Sequence, residues 1–229
     1  VYAGASKPLL RQLVTAEEVH GKTGLDGVDL HDPICPLQPV HAVPYLIDVL
    51  RKAEDASITL CPIGPLTNIA LALSLAPDIA RGIKHIVMMG GNYFEAGNIT
   101  PAAEFNVYVD PHAAQIVLQS GVPIAVLPLD VTHKACITSA RMDILRQQDN
   151  VNGPRLADIL QSYERFDIQK FGLEGGPLHD PCAITYAVFP EFFSGRDCHV
   201  QINTESELSM GACVVDWWGT TGKPANVHW

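Results

Sequence analysis

The stretch GNITPAAEFN (97–106) gathers three hydrogen-bonding side chains within a small and apolar segment, those of Asn98, Glu104 and Asn106. Residues 104 and 106 are two positions apart, so in an extended segment their side chains would point to one side and Phe105 to the other, where the ring would anchor the loop. Rigidly held amides and carboxylates suit a neutral polyol, whose hydroxyls both donate and accept. A loop that satisfies its own backbone with these groups is an equally good interpretation of the segment alone.

The tetrapeptide LHDP occurs twice, at 30–33 and at 178–181. The second copy follows GGP and opens the apolar segment CAITYAVF, which places His179 and Asp180 at the N-terminus of a predicted helix, where an anionic side chain is favoured. Asp180 is interpreted either as a helix cap or as an oxygen ligand for a hard cation such as Ca²⁺. His179 is a candidate proton donor, since a histidine ordinarily titrates near pH 6.5.

Several enzyme classes are disfavoured by the motifs. VHGKTGLDG (19–27) contains Gly-Lys-Thr, but the earlier glycine that a phosphate-binding loop requires falls at Ala16, and no helical pattern follows. The sequence contains no G-x-S-x-G, no H-E-x-x-H and no dinucleotide-binding glycine fingerprint. Serine hydrolases, zinc proteases and dinucleotide enzymes are therefore not expected.

The elements that must position these residues alternate between strand and helix patterns. Apolar, β-rich runs lie at 58–63, 84–91 and 122–129, and helical patterns lie at 42–54, 66–77, from Asp110-Pro111 to Gly121, 154–171 and 181–188. This alternation predicts an α/β fold of one domain (1–229), with a mostly parallel central sheet flanked by helices in a Rossmann-like layout. Residues 20–41, rich in Gly, Asp and Pro, are predicted to form a long loop.

In open parallel sheets, ligands bind beyond the carboxyl ends of the strands. The predicted functional rim therefore collects residues 63–64, 89–106 and 129–130. The polar stretch at 97–106 lies on this rim, which favours a binding role for its side chains.

The composition limits the partners and the compartment. The 229 residues are 47% hydrophobic and carry a formal net charge of −10 without a Lys/Arg cluster, so neither nucleic acid nor an anionic membrane is expected as a partner. Six cysteines without C-x-x-C spacing indicate a reducing compartment, and the cytoplasm is predicted. No apolar stretch reaches the roughly 20 residues of a membrane-spanning helix.

Five segments taken together carry a resemblance to a known family: VHGKTGLDG, GPLTNIA, VMMGGN, GNITPAAEFNVYVDPHAA and GGPLHDP. In order and spacing they resemble the nucleoside hydrolases of the inosine-uridine preferring type, most closely the pyrimidine-preferring bacterial ribonucleoside hydrolases. The resemblance covers nearly the whole chain. It implies the nucleoside hydrolase fold and the cleavage of a ribonucleoside by water to ribose and free base, as in purine and pyrimidine salvage. It also implies a bound Ca²⁺ that holds the ribose hydroxyls and the nucleophilic water, and a homo-oligomer, dimer or tetramer.

The same resemblance implies roles for individual residues around the sugar. Asn98 and Glu104 match the residues that bind the 5′-hydroxyl end of ribose, Asn106 matches the 2′/3′ side, and Met89 lies beneath the sugar. The aromatic Phe105 belongs to the same substrate-binding segment. Such preorganised dipoles beside an anion would stabilise the sugar as it flattens toward an oxocarbenium ion.

Metal and base contacts follow from the resemblance in the same way. Asp180 and the backbone carbonyl of Ile63 match metal ligands. His179 matches the histidine at the leaving group, and His20 matches a loop histidine near the base. Asp167 and Phe171, four residues apart on a predicted helix, would face the nucleobase.

One departure from the family pattern limits these expectations. The aspartate cluster D-x-D-P-G-x-D-D, which in the family supplies most metal ligands and the general base, does not occur in these 229 residues. Without the cluster the polypeptide is expected to be catalytically incomplete, because Ca²⁺ takes about six to eight oxygen ligands. It is also expected to be truncated at both ends, because it lacks an initiator Met, opens on what looks like the middle of a strand and stops mid-pattern at ANVHW. Two alternatives stay open: a non-catalytic nucleoside- or ribose-binding module, and a degenerate truncated copy. The preferred nucleobase is not determined by the sequence.

Overall fold

The computed structural model describes residues 1–21, 24, 28, 32–172 and 174–229, without the side chains of residues 163–171. The chain forms two compact units. The larger unit comprises Val1–Leu13, Cys35–Asp130 and Asp180–Trp229, and the smaller unit comprises Val14–Ile34 and Val131–His179. No helix in these described ranges is long and apolar enough to cross a membrane.

Helices and strands alternate along the first half of the chain, as the sequence predicts. The described helices are α1 (Glu17–His20), α2 (Ala42–Lys52), α3 (Thr67–Leu75), α4 (Phe105–Val109), α5 (Pro111–Leu118), α6 (Leu129–Thr132), α7 (Ser139–Arg146), α8 (Asn152–Phe171) and α9 (His179–Val188). The described strands are β1 (Ile58–Leu60), β2 (Ile83–Met89), β3 (Ile124–Leu127), β4 (Cys136–Ile137), β5 (Gly176–Pro177), β6 (Asp197–Ile202), β7 (Cys213–Asp216) and β8 (Val227–His228). Residues 22–23, 25–27 and 29–31 of the loop predicted at 20–41 lie outside the described residues, and residues 32–41 form neither a helix nor a named strand.

A six-stranded sheet of order β1-β2-β3-β8-β6-β7 forms the centre of the larger unit. The pairs β1·β2, β2·β3 and β3·β8 are parallel, whereas β6 runs antiparallel to both β8 and β7. The prediction of a mostly parallel central sheet flanked by helices is thus confirmed. Met89 is paired with Leu127, so β2 and β3 end side by side and the segments that follow them leave from the same edge.

The hydrophobic core of the larger unit lies between this sheet and helices α2, α3 and α5. It includes the fully buried side chains of Leu50, Ala70 and Val117 from the helices and of Ile86 and Val200 from the strands. Burial of apolar surface contributes about 25 cal/mol per Å², so this core stabilises the sheet whose edge carries the polar segment.

One buried carboxylate, that of Asp110, joins the start of α5 to two other segments of the larger unit. Asp110 is fully buried and caps the helix by accepting a hydrogen bond from the Ala113 backbone N–H (3.0 Å), and Pro111 follows at the first helical position. Its other oxygen accepts from the hydroxyl of Thr67 (2.7 Å) and from the backbone N–H of Leu9 (2.9 Å). The predicted cap is confirmed, and it also joins α3 and the N-terminal segment to α5.

The smaller unit has a core of its own. Ile137 of β4, Met142 of α7 and Ala157 of α8 are buried together. The two-residue strands β4 and β5 pair in antiparallel fashion. This core supports the segment that ends at His179.

Candidate active site

The carboxyl end of β2 is tied to its neighbours through its backbone. The Met89 N–H donates to the carbonyl of Pro62 (3.0 Å), which lies just beyond β1, and the side chain of Met89 is buried. The predicted strand at 58–63 ends at Leu60, because Pro62 has no N–H to continue the ladder. Met89, which the family resemblance places beneath a bound sugar, is therefore held in place at the edge of the sheet.

Gly91 makes the turn that leaves this edge. Its φ of +83° lies in the left-handed region, and a Cβ atom here would be 2.9 Å from Sγ of Cys213. Its carbonyl accepts a hydrogen bond from the Leu129 N–H (2.9 Å), and its N–H donates to Oε2 of Glu104 (2.9 Å). Glycine at this position therefore lets the segment after β2 contact both the segment after β3 and the polar stretch.

Glu104 is the buried N-cap residue of α4. Its side chain is 2% exposed, and its carboxylate accepts from the N–H groups of Gly91, Asn106 (3.0 Å) and Val107 (3.4 Å). The expectation of an extended segment is wrong here, because α4 begins at Phe105 once Glu104 satisfies the first N–H groups of the helix. Glu104 and Asn106 are thus the cap and the second residue of a helix, and the alternation of side chains along a strand does not apply to them.

The carboxylate of Glu104 is held in an environment that disfavours its charge. Burial raises its pKa from 4.5 to about 7, although the three backbone N–H groups act in the opposite direction; the negative charge of Asp180 raises it further. Among the described residues, Oε1 accepts one hydrogen bond and keeps acceptor capacity for a further donor. Glu104 is therefore a buried group whose protonation can change near neutral pH.

The two asparagines are oriented by the same segment. Nδ2 of Asn106 donates to the Met89 carbonyl (3.1 Å), which leaves its Oδ1 as the part that can accept from a ligand. Oδ1 of Asn98 accepts from the Phe105 N–H (2.8 Å), so Asn98 also serves the backbone of α4. The structure brings Met89, Asn98, Glu104 and Asn106 together, and Phe105 joins them through its backbone.

Asp130, in the first turn of α6 just after β3, holds the loop that precedes Asn98. Its carboxylate accepts from the backbone N–H groups of Tyr93 (3.0 Å), Phe94 (2.6 Å) and Glu95 (2.7 Å). The sequence places residue 130 on the functional rim but gives no sign of this triple contact. A carboxylate next to three backbone donors fixes the loop by charge-assisted hydrogen bonds.

The predicted metal ligands Asp180 and Ile63 both belong to the larger unit, and both are exposed. Asp180 lies in the first turn of α9, as predicted, and acts electrostatically on Glu104. The described residues contain no cluster of three or more His, Cys, Asp or Glu side chains that could hold a metal ion. One carboxylate and one carbonyl do not fill the six to eight positions that Ca²⁺ takes, so these residues do not fit a complete calcium site.

His179 belongs to the smaller unit and is half-buried. Its Nδ1 lies 2.8 Å from Oγ1 of Thr132, and its ring centroid lies 5.7 Å from that of His133. Burial, followed by repulsion from His133 and His20, lowers the pKa of His179 to about 4. The expected pKa near 6.5 is therefore wrong for this structure, and the ring is neutral near pH 7.

The other residues predicted near the base are His20, Asp167 and Phe171. His20 ends α1 and lies within electrostatic reach of His179, so the two predicted catalytic histidines are brought together in the smaller unit. Asp167 and Phe171 lie on α8, but their side chains fall outside the described residues. Thr132 had no signal in the sequence, because its contact with His179 joins residues that are far apart in the chain.

Comparison with protein families identifies the family of this chain. The family described as inosine-uridine preferring nucleoside hydrolase matches residues 1–229. The chain belongs to this family. The resemblance carried by the five motifs is thus confirmed, and this nucleoside hydrolase is an enzyme that acts on small-molecule ribonucleosides.

Individual relatives of the nucleoside hydrolase agree with the family. The pyrimidine-specific ribonucleoside hydrolase RihA of Shewanella oneidensis is 46% identical over 227 residues, which cover 99% of this chain and 71% of the relative. An uncharacterized protein of Schizosaccharomyces pombe is 51% identical, over 99% of this chain and 73% of its own length. Among solved structures, a purine-preferring ribonucleoside hydrolase from Gardnerella vaginalis matches with a TM-score of 0.89 at 29% identity and covers 99% of this chain and 73% of that one.

Proposed function

We propose that this nucleoside hydrolase cleaves the N-glycosidic bond of ribonucleosides with a preference for pyrimidine nucleosides, and that residues 1–229 form one such domain. The observation that carries the proposal is the cluster of Met89, Asn98, Glu104 and Asn106 at the carboxyl end of β2, where the polar side chains are oriented by backbone hydrogen bonds. Rigid acceptors of this kind suit the hydroxyls of one neutral sugar.

The sugar-binding roles are those that the family resemblance implies, and the orientation of the cluster's side chains supports them. Asn106 offers Oδ1 to the 2′/3′ side of ribose while the Met89 carbonyl holds its Nδ2. Asn98 and Glu104 serve the 5′-hydroxyl end, and Phe105 keeps the segment in position. As the glycosidic bond breaks, positive charge develops on the sugar, and preorganised oxygen dipoles with a nearby carboxylate stabilise that charge more than they stabilise the neutral substrate.

The base side of the reaction is assigned to four residues. His179 donates a hydrogen bond to the departing base, and His20 assists near the base. The family resemblance also implies Asp167 and Phe171 as residues for the nucleobase. Because the pKa of His179 is about 4, its imidazole is neutral near pH 7. The neutral ring performs this role through an N–H group.

Calcium is the metal that the family resemblance suggests, and we propose it as the cofactor. Asp180 and the Ile63 carbonyl would supply two of its oxygen ligands, and the remaining ligands would have to come from other groups and from water. When bound, such an ion would orient the ribose hydroxyls and lower the pKa of a coordinated water.

The preference for pyrimidines is supported by the named relatives. The relative named as pyrimidine-specific is 46% identical to this chain, whereas the structure named as purine-preferring is 29% identical. A homo-oligomer, dimer or tetramer, and a cytoplasmic location complete the proposal. Six cysteines without a disulfide among the described residues fit a reducing compartment.

Hydrolysis of a substrate panel by the intact protein tests this function. Uridine, cytidine, inosine and adenosine are each incubated with Ca²⁺ or with EDTA, and free base and ribose are measured. We expect the highest kcat/KM for uridine or cytidine and a loss of turnover in EDTA. Faster cleavage of the purine nucleosides would overturn the pyrimidine preference. Calorimetric binding of uridine without cleavage would favour a non-catalytic binding module instead.

A further inference from the structure

Among the described residues, Thr132 is the one that lies within hydrogen-bond distance of a ring nitrogen of His179. The hydroxyl oxygen of Thr132 lies 2.8 Å from Nδ1 of His179, and the threonine is fully buried at the end of α6. Its backbone carbonyl accepts a separate hydrogen bond from the Ala135 N–H. Within the described part of the chain, the hydroxyl has no second acceptor.

The direction of this hydrogen bond follows from what each group can do. A threonine hydroxyl carries one hydrogen and two lone pairs, and a buried O–H group that donates to nothing is costly. Because Nδ1 of His179 is the one acceptor that the described residues offer to the Thr132 hydroxyl, the hydroxyl donates to it. Nδ1 therefore accepts this hydrogen bond with its lone pair. In the neutral imidazole the proton then resides on Nε2.

We propose that Thr132 is a positioning residue that holds the neutral His179 ring in the tautomer protonated at Nε2. Its consequence for catalysis rests on the proposed function. When the C1′–N bond breaks, its electron pair passes to the nucleobase, and the Nε2–H group stabilises that developing negative charge by a hydrogen bond. The attacking water forms the new bond to C1′ and supplies the proton that the base finally takes. In the opposite tautomer, the Nε2 lone pair would face the electron-rich base.

The tautomer can be read directly by ¹⁵N NMR of protein labelled at histidine, at about pH 8, where an ordinary histidine is neutral. The His179 signals are assigned with the variant His179→Gln. We expect Nε2 of the wild-type ring to show the shift of a protonated nitrogen and Nδ1 that of an unprotonated one. Thr132→Val should lose this pattern, and Thr132→Ser should keep it. A wild-type ring protonated at Nδ1, or a Thr132→Val spectrum identical to wild type, would overturn the proposal.

Kinetics separate this inference from the proposed function. Thr132→Val should lower kcat for uridine by about 10²-fold, the size of effect seen when one donor to a developing anion is lost, with KM nearly unchanged. Thr132→Ser should restore most of kcat. Equal kcat values for wild type and a folded Thr132→Val variant would refute the catalytic consequence. If no ribonucleoside is cleaved by the wild type, the proposed function fails, while the NMR result still decides the tautomer.

Discussion

Replacing Glu104 by glutamine should change how stability depends on pH. The pKa of Glu104 is about 7 in the folded protein and has an ordinary value of 4.5, so the folded state binds this proton more tightly than the unfolded state. The contribution of this proton binding to the free energy of unfolding is fully present below pH 4.5 and is lost as pH rises through 7. Glutamine mimics the protonated carboxyl group and keeps an oxygen that can accept from the N–H groups of Gly91 and Val107.

The size of the effect follows from the two pKa values. They differ by about 2.5 pH units, and each unit corresponds to about 1.36 kcal/mol, so the wild type should lose about 3 kcal/mol relative to Glu104→Gln between pH 4.5 and pH 8. The free energy of unfolding is measured by urea titration across this range, in EDTA so that no divalent cation contributes. All other titrating groups are shared by the two proteins, so their effects cancel in the difference.

A matched control uses a carboxylate in water. Glu54 is exposed, so Glu54→Gln should give a curve parallel to that of the wild type. Parallel curves for wild type and Glu104→Gln would refute the conclusion that burial dominates the titration of Glu104. A difference that grows in the opposite direction, with the wild type gaining stability as pH rises, would show that the three backbone N–H groups outweigh burial.

Three further substitutions test the framework of the site. Asp110→Ala should lower the free energy of unfolding by about 3 kcal/mol or more, since it leaves two buried donors and one half-buried donor without their acceptor, and urea titration checks this. Gly91→Ala should destabilise by about 2 kcal/mol, because φ is +83° and the new methyl group meets Sγ of Cys213; an unchanged melting temperature would contradict this. Asp130→Ala should speed hydrogen exchange at the amides of residues 93–95 by at least about tenfold, whereas unchanged protection would mean that Asp130 does not hold this loop.

Much of the larger unit could be predicted from local sequence. The cap at Asp110 with Pro111 after it, and the alternation of apolar strands with helices, are local signals that the structure confirms. The strands β6, β7 and β8 were not predicted individually. β8 is only two residues long and depends on pairing with β3 and β6, which lie far away in sequence.

The polar stretch shows where local reasoning fails. The segment FNVYV (105–109) is rich in β-branched and aromatic residues, which favours a strand, yet it is helical. The reason is the Glu104 carboxylate, whose capping contacts and burial depend on Gly91, a residue on another segment. The lowered pKa of His179 had no sequence signal either, because it arises from burial and from two other histidines.

The central claim is that the segment around Asn106 holds the ribose of a nucleoside substrate. Uridine hydrolysis by the intact protein, followed by the release of reducing sugar, tests it most directly in wild type, Asn106→Ala and the exposed control Gln148→Ala. We predict that the wild type and Gln148→Ala release ribose at equal rates and that kcat/KM of Asn106→Ala falls by about 10²-fold or more. Equal kcat/KM values for Asn106→Ala and wild type would contradict the claim.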